Sequence, residues 1–463
     1  MSALPADMAR KRQWPIPWLA FLLIAGVFFF TGHQVTRSQY VLERSVEQFN
    51  PTEAEAREML AQYETGTASK AAAYLLLGGF SLVILGIFLR NGRLKVHGLA
   101  GGLAVFFSVW VPLSLLWASE FPNTLNKVAI FIMLAVAALM AGVRFSDRQF
   151  VWFVMLVTGA YLAVGVGAEL ALGTFRPWIS GYRFSGTIHP NGQGMNCALL
   201  VLAALFLYFS EPPEQRNRAF WLVVLAGFVF LVLTKSRTPF GVLFMTLGLY
   251  ALRKLPLSLK AAGLSLAVMG VCVLVIFGSA LSPLIRDVIQ FGRTDVAGER
   301  RGATLSGRLE LWEECLGYVG ERPLLGYGYN SFWTEENTFD VADKINWISG
   351  SAHSIYFDVL IGLGSIGLLA FLLLLFATLF RLSWLQRSTG AMTFGFMWCV
   401  LVFMMLHGLM ESAFIYPALY SFLPMAIIAM VGFRYLPETS PGGETEEAEA
   451  PMQAGRETAA QQG

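Results

Sequence analysis

The segment 355–380, IYFDVLIGLGSIGLLAFLLLLFATLF, holds a single charged residue, Asp358. At ~1.5 Å per residue, a helix of this length exceeds the ~30 Å hydrocarbon thickness of a bilayer. Comparable apolar runs recur at roughly 14–32, 71–89, 98–117, 128–143, 150–171, 192–209, 220–234, 239–252, 261–281, 392–410 and 417–433. The chain is 56% hydrophobic and only 14% charged, whereas a soluble protein carries roughly a quarter charged residues. The pattern predicts an all-α, polytopic membrane protein with about twelve transmembrane helices. The first run follows Arg10, Lys11 and Arg12 and has no small-x-small cleavage site after it, so it reads as a retained helix.

Charge in the short loops sets the orientation. With the amino terminus in the cytoplasm, the inner loops (90–97, 144–149, 210–219, 253–260, 381–391) hold twelve Lys and Arg. The outer loops (118–127, 172–191, 235–238, 411–418) hold five. Both termini are then inside, and two longer segments face outward. Residues 33–70 carry NPTEAEAREMLAQY, in which Asn50 can cap, Pro51 suits the first helical position and Glu53 the third, so a short amphipathic helix is expected there. Residues 282–354 interrupt the bundle between spans nine and ten. The expected organisation is therefore 1–281 for spans one to nine, 282–354 for a large helical outer insertion, and 355–433 for spans ten to twelve. The remainder, 434–463, is acidic and rich in Gly, Pro and Glu, the composition of a disordered tail.

Several function classes fall away on composition. Net charge is +2 and no basic cluster is interleaved with aromatics, so nucleic acid is not an expected partner. Cys197, Cys272 and Cys399 lie in apolar runs and Cys315 stands alone in a polar segment, with no disulfide or zinc pattern. No metal-ligand spacing, Asp-x-Asp pair or phosphate-cradling Gly-Lys-Ser/Thr loop occurs, so neither a metal nor another cofactor is expected.

The outer loops are poor in basic residues, which makes those present informative. Apart from Lys127, the short loops carry Arg176, Arg183, Lys235 and Arg237, in the motifs GYRFSGTIHPNGQG and LTKSRTPFG. Snorkelling to the membrane edge accounts for Arg176. The spans flanking 235–238 are short, covering roughly 21–23 Å each, so this turn should sit below the outer surface. A charge there is tolerated inside the bundle or in a wet cavity. In the insertion, Leu309, Trp312, Leu316 and Val319 fall at helical spacing, so 307–320 reads as an amphipathic helix that Ser306 can cap. Arg308 lies at its amino end, opposing the helix dipole, which suggests an anion nearby. Pro323, Gly326 and Gly328 then make a tight turn whose Tyr327 and Tyr329 fit either a core or a sugar-stacking role.

His353 follows at the outer end of the tenth span. Transmembrane parity places Arg183, Arg237, Arg308 and His353 in one compartment, although they are far apart in sequence. Guanidinium matches phosphate bidentately and stays charged, while neutral imidazole accepts a proton. That set fits a site for an anionic group beside a general base. His407, within span eleven, reads as a packing residue, and His33 and His97 as interfacial ones. His189 has two readings, a member of the site or part of the turn Pro190–Asn191–Gly192. Asp358 lies five residues beyond His353, about 140° around the helix, and a structural salt bridge fits it better than orienting the imidazole.

The pieces RFSGTIHPNGQG, TKSRTPFGV, SGRLELWEECLGYVGERPLLGYGYNSF and AHSIYFDVLIGLGSIGLL, in this order from about 183 to 369, resemble the O-antigen ligase family. The wider group includes O-antigen polymerases and bacterial oligosaccharyltransferases. The sequence departs from many relatives in having Ser354 where they have Asn, and in His189. The resemblance implies transfer of O-antigen polysaccharide from undecaprenyl diphosphate to lipid A-core on the periplasmic face of the bacterial inner membrane, inverting and without metal or nucleotide. Arg237, Arg308 and His353 match its functional positions; Arg183 matches less closely, and Lys235, His189 and Tyr329 are further candidates. On this reading His353 takes the acceptor proton while the arginines stabilise the leaving diphosphate. Two alternatives stay open: an O-antigen polymerase, whose acceptor is another undecaprenyl-linked repeat, and a lipid-linked glycan transporter. A transporter favours two related halves with midplane polar sites, and no such halves occur here.

Overall fold

The computed structural model describes residues 23–28, 67–91, 94–179, 181–256, 258–259, 307–345, 349–412 and 418–434. The expected span at 261–281, most of the span at 14–32, the amphipathic helix in 33–70, Ser306 and the acidic tail lie outside the described residues.

The described elements are helical. In chain order they are α1 (Thr67–Asn91), α2 (Gly98–Leu113), α3 (Phe121–Arg144), α4 (Asp147–Ala171), α5 (Pro190–Ser210), α6 (Ala219–Leu233), α7 (Arg237–Lys254), α8 (Arg308–Glu321), α9 (Glu335–Ile345), α10 (Ile355–Thr389), α11 (Met392–His407) and α12 (Leu419–Phe433). Five are long and apolar enough to cross a bilayer: α2 with the 3-10 turn that follows it, α3, α4, α5 and α10. α6, α11 and α12 are shorter apolar helices. The chain is a multi-pass membrane protein, with α8 and α9 set between α7 and the long α10.

Local sequence sets the helix ends. Ser146 starts α4 through a reciprocal capping box with Gln149. Pro190 sits at the first turn of α5, where its missing N–H costs nothing. Inside lipid the hydrophobic effect does not hold helices together, so close packing must. α5 and α11 form the centre of the bundle and touch one another, α4 and α7. Phe150 of α4, Phe396 of α11, Phe206 of α5 and Tyr250 of α7 make a row of edge-to-face contacts, with centroids 6.4, 5.9 and 5.1 Å apart. Such pairs contribute about 0.5–1.5 kcal/mol each beyond their burial.

Hydrogen bonds between loops separate the two ends of the bundle. At one end His97 N donates to Gly432 O (2.7 Å), and Arg434 donates to Phe145 O (2.6 Å). At the other end lie the starts of α5, α8 and α10, the α6–α7 turn and the end of α11. These are the loops that sequence parity places outside.

The segment between α7 and α10 shares a small core with the head of α10. Leu311, Cys315, Tyr327, Phe332, Val341, Ala352 and Ile361 are buried together. Its turn Pro323–Gly328 is built into α10, which breaks at Gly364 (φ 68°, ψ −173°). Four backbone hydrogen bonds cross the break: Tyr327 N to Ile361 O (2.9 Å), Gly328 N to Gly362 O (2.8 Å), Ser365 N to Pro323 O (2.8 Å) and Ile366 N to Leu324 O (3.4 Å). Backbone groups that a helix break would orphan are thereby satisfied, as a low-dielectric setting requires. Gly364 is needed on two counts, its left-handed φ and the approach of Leu324 O, which would lie 2.0 Å from an added Cβ. The apolar run 355–380 is therefore a short half-helix, Ile355–Leu363, stacked on a longer one that ends at Thr389. The α2–α3 loop clamps the same turn from the other side, through Trp117 Nε1 to Leu325 O (2.9 Å) and Ser119 N to Tyr327 O (3.0 Å), and Lys127 of α3 reaches just beyond it, its Nζ donating to Asn330 O (2.8 Å).

Candidate active site

Three of the four expected cation and imidazole positions meet in one hydrogen-bonded network, and a carboxylate joins them. Glu411, just past the end of α11, is its hub. Its Oε1 accepts from Arg308 Nη2 (3.0 Å) and from Asn191 Nδ2 (3.0 Å), and its Oε2 faces His353 Nδ1 at 3.5 Å. The amide of Asn191 passes the network on: its Oδ1 accepts from Arg183 Nη2 (3.2 Å) and from Ser236 Oγ (2.9 Å). Arg183 also donates through Nε to Thr234 O (3.0 Å), which ties it to the α6–α7 turn. Six separate places in the sequence thus converge. The Arg308 and Glu411 side chains are 16% and 15% exposed and that of His353 is 30% exposed, so the imidazole is the more open of the three.

Burial raises the Glu411 carboxyl pKa, but the His353 ring and the Arg308 guanidinium together outweigh it and hold the group at about 2. The carboxylate is therefore ionised at neutral pH. An ionised carboxylate behind one ring nitrogen orients an imidazole and fixes which nitrogen carries its proton.

His353 adopts a left-handed backbone conformation, φ 48°, which a residue with a side chain enters only at a cost of about 1–3 kcal/mol. Its neighbour Ala352 is gripped on both sides: its N–H donates to Asp358 Oδ1 (2.9 Å), and its carbonyl accepts from Trp312 Nε1 (2.8 Å). Trp312 in turn stacks on Phe357, with centroids 5.2 Å apart. Asp358 also accepts from Trp333 Nε1 (3.0 Å) and from the Ser412 hydroxyl. The salt bridge expected for Asp358 gives way to neutral donors: a backbone amide, an indole and a hydroxyl. Charge-assisted bonds of this kind hold a buried carboxylate without a cation. Because Asp358 fixes residues 352 and 412 at once, it sets the spacing of His353 and Glu411.

Glu169 does similar work for Arg183. Its carboxylate, buried in α4, accepts from Ser185 N (3.0 Å), Gly186 N (2.7 Å) and Tyr182 Oη (2.5 Å), pinning the loop that carries the arginine.

The remaining candidates are placed as follows. Arg237 is the first residue of α7, half-buried, beside Ser236 of the network. Lys235 lies in the same turn with φ 48°. His189 is exposed and caps α5, its Nδ1 accepting from Asn191 N (3.2 Å), so the turn reading describes its contact and fixes the residue that reaches Glu411. Tyr329 packs on Phe131, centroids 5.4 Å apart, against the main core. Arg308 is preceded by Gly307, with φ 81°, in the capping position.

Glu411 and Asn191 are the members that sequence reasoning missed. Asn191 lies within GYRFSGTIHPNGQG, where its place between Pro190 and Gly192 signals a turn and not a side-chain role. Glu411 sits in an outer loop that carries no basic residue, so a search for cations passed over it.

Comparison with known proteins bears on this arrangement. Residues 221–372 match the O-antigen ligase family. The matched region runs from α6 to the middle of α10 and contains Arg237, Arg308 and His353. Arg183, Asn191 and Glu411 lie outside it, so the network joins the matched region to flanking helices. The chain is 23% identical over 256 residues to the General O-oligosaccharyltransferase of Acinetobacter baylyi, covering 54% of this chain and 43% of that protein. It is also 23% identical over 288 residues to the ComP-specific O-oligosaccharyltransferase of the same species, covering 61% of this chain and 50% of that protein. The chain thus spans about half the length of these relatives or less.

Proposed function

We propose that this chain transfers O-antigen polysaccharide from undecaprenyl diphosphate to lipid A-core on the periplasmic face of the inner membrane, with inversion and without metal. The observation that carries the proposal is the convergence of Arg183, Arg308 and His353 around the Asn191–Glu411 pair. In the proposed step, His353 accepts the proton of the acceptor hydroxyl as its oxygen attacks the anomeric carbon. The bond from that carbon to the diphosphate oxygen breaks, and inversion follows from attack opposite the leaving group. Glu411 behind Nδ1 holds the ring and stabilises the imidazolium, leaving the base function to Nε2. The developing charge on the diphosphate is met by Arg308, Arg183 and, from the adjoining turn, Arg237, with Lys235 beside it. Preorganised cations facing developing charge are commonly the largest catalytic contribution.

A second reading changes the acceptor. The relatives' designation as O-oligosaccharyltransferases fits the same donor chemistry directed at a hydroxyl on another molecule. An O-antigen polymerase also shares the step, with an undecaprenyl-linked repeat as acceptor. The purified protein, given lipid-linked O-antigen and offered lipid A-core, a second lipid-linked repeat or a protein hydroxyl acceptor, separates these readings. Product on lipid A-core is expected. Product on only one of the other acceptors would reassign the enzyme, and transport into proteoliposomes with no covalent product would overturn the transferase reading.

A further inference from the structure

A cavity of about 270 Å³ lies at the opposite end of the bundle from His353, lined by Tyr250, Arg253, Gln386, Arg387, Gly390 and Met392. It sits where the last turns of α7 and α10 meet the first turn of α11. Helix carboxyl ends attract cations, which accounts for an arginine in each last turn. It does not account for two arginines sharing one cavity. Among the described residues no carboxylate forms an ion pair with either. Burial works against the charge on Arg253, and Arg387 adds to that opposition.

The walls are fixed. The Arg253 guanidinium lies over the Trp398 ring, 4.3 Å from its centroid, and its Nη1 is buried without a hydrogen-bond partner. Gln386 Nε2 donates to Tyr250 Oη (2.5 Å), and Tyr250 stands beside Arg253 and against Trp398. An arginine stacked on an aromatic loses little further freedom when it binds an anion, so the site is preorganised. In a membrane protein, helix ends lie at headgroup depth, and basic pockets between spans are where anionic headgroups bind.

We infer that this cavity binds a phosphate group, carried by the headgroup of an anionic membrane lipid, between Arg253 and Arg387. The site is separate from the transfer chemistry, and the inference does not depend on which acceptor that chemistry uses. On the orientation expected from the loop charges it faces the cytoplasmic leaflet.

The full chain in detergent, titrated with phosphatidylglycerol or zwitterionic phosphatidylcholine and read by native mass spectrometry, tests this, with inorganic phosphate as a competing arm. Phosphatidylglycerol should be retained over phosphatidylcholine, and Arg387→Gln should weaken it by about tenfold, the worth of one charge-assisted hydrogen bond. Arg253→Gln with Arg387→Gln should abolish the preference. Displacement by inorganic phosphate identifies the phosphate as the recognised part. Binding of inorganic phosphate that depends on the arginines, without preference for phosphatidylglycerol, keeps the site but makes free phosphate its source. Equal phosphatidylglycerol binding by wild type and Arg387→Gln, with no arginine-dependent phosphate binding, overturns the proposal. Arg387 is exposed, so that variant alone carries the test if the double variant does not fold.

Discussion

Replacing Glu411 with glutamine keeps the shape of the side chain and an oxygen for Arg308 and Asn191, but removes the charge. The carboxyl is held at about 2 against an ordinary 4.5, a gap of roughly 3 kcal/mol at about 1.4 kcal/mol per tenfold in proton affinity. A folded value below the unfolded one contributes in full above about pH 4.5, and the contribution is lost as pH falls toward 2. Breaking a fully buried ion pair costs about 3–5 kcal/mol. The retained acceptor and the 15% exposure of Glu411 place Glu411→Gln lower, at about 2–3 kcal/mol. Thermal unfolding of wild type and variant, side by side in one detergent from pH 7 down to pH 3, reads this as a gap that stands above about pH 4.5 and narrows as the pH falls toward 3. Other carboxylates titrate in both proteins and cancel in the difference. Turnover should fall about 10²-fold, because the imidazole loses the carboxylate that orients it. A variant as stable as wild type at pH 7, or a gap that acid leaves unchanged, would refute the account of Glu411 as the charged hub.

Other substitutions test the rest of the arrangement. His353→Ala should abolish transfer while leaving thermal unfolding within about 1 kcal/mol of wild type, because the ring is 30% exposed; near-normal turnover would remove the general base. Arg308→Lys should lower turnover by at least about tenfold in the transfer assay, since one ammonium does not replace a planar fork. Gly364→Ala should destabilise by about 3 kcal/mol or more, combining left-handed strain with collision against Leu324 O, and should make 307–345 sensitive to added protease. A cysteine replacing Arg237 should react with an impermeant thiol reagent applied from the side that the loop charges place outside; protection from that reagent would rule out a water-accessible position for the turn.

The helical bundle was legible because apolar run length is dictated by bilayer thickness. Parity needs no tertiary detail and assigns Arg183, Arg237, Arg308 and His353 to one side, but which of them share hydrogen bonds depends on Asn191 and Glu411. The break in α10 was less visible. The run 355–380 is continuous in hydropathy, and only the Gly-Leu-Gly at 362–364 hints that another backbone enters it. Asp358 looked like half of an ion pair because a lone charge in an apolar span demands compensation. Sequence does not show that three neutral donors, two of them from residues 333 and 412, supply it. Glu411 was missed for a related reason. Reasoning from the substrate's charge favours cations, whereas the acid that organises them carries the same sign as the substrate.

The crossing of the 323–328 turn with the broken helix bears on how specificity in such proteins can be re-engineered. Exchanging 307–345 alone between relatives would sever the four backbone bonds to 361–366 and present the new segment with a foreign socket. The transplantable cassette is the loop together with the head of the helix it is stitched into. The matched family region respects that seam, closing at 372, a few residues after the last stitch.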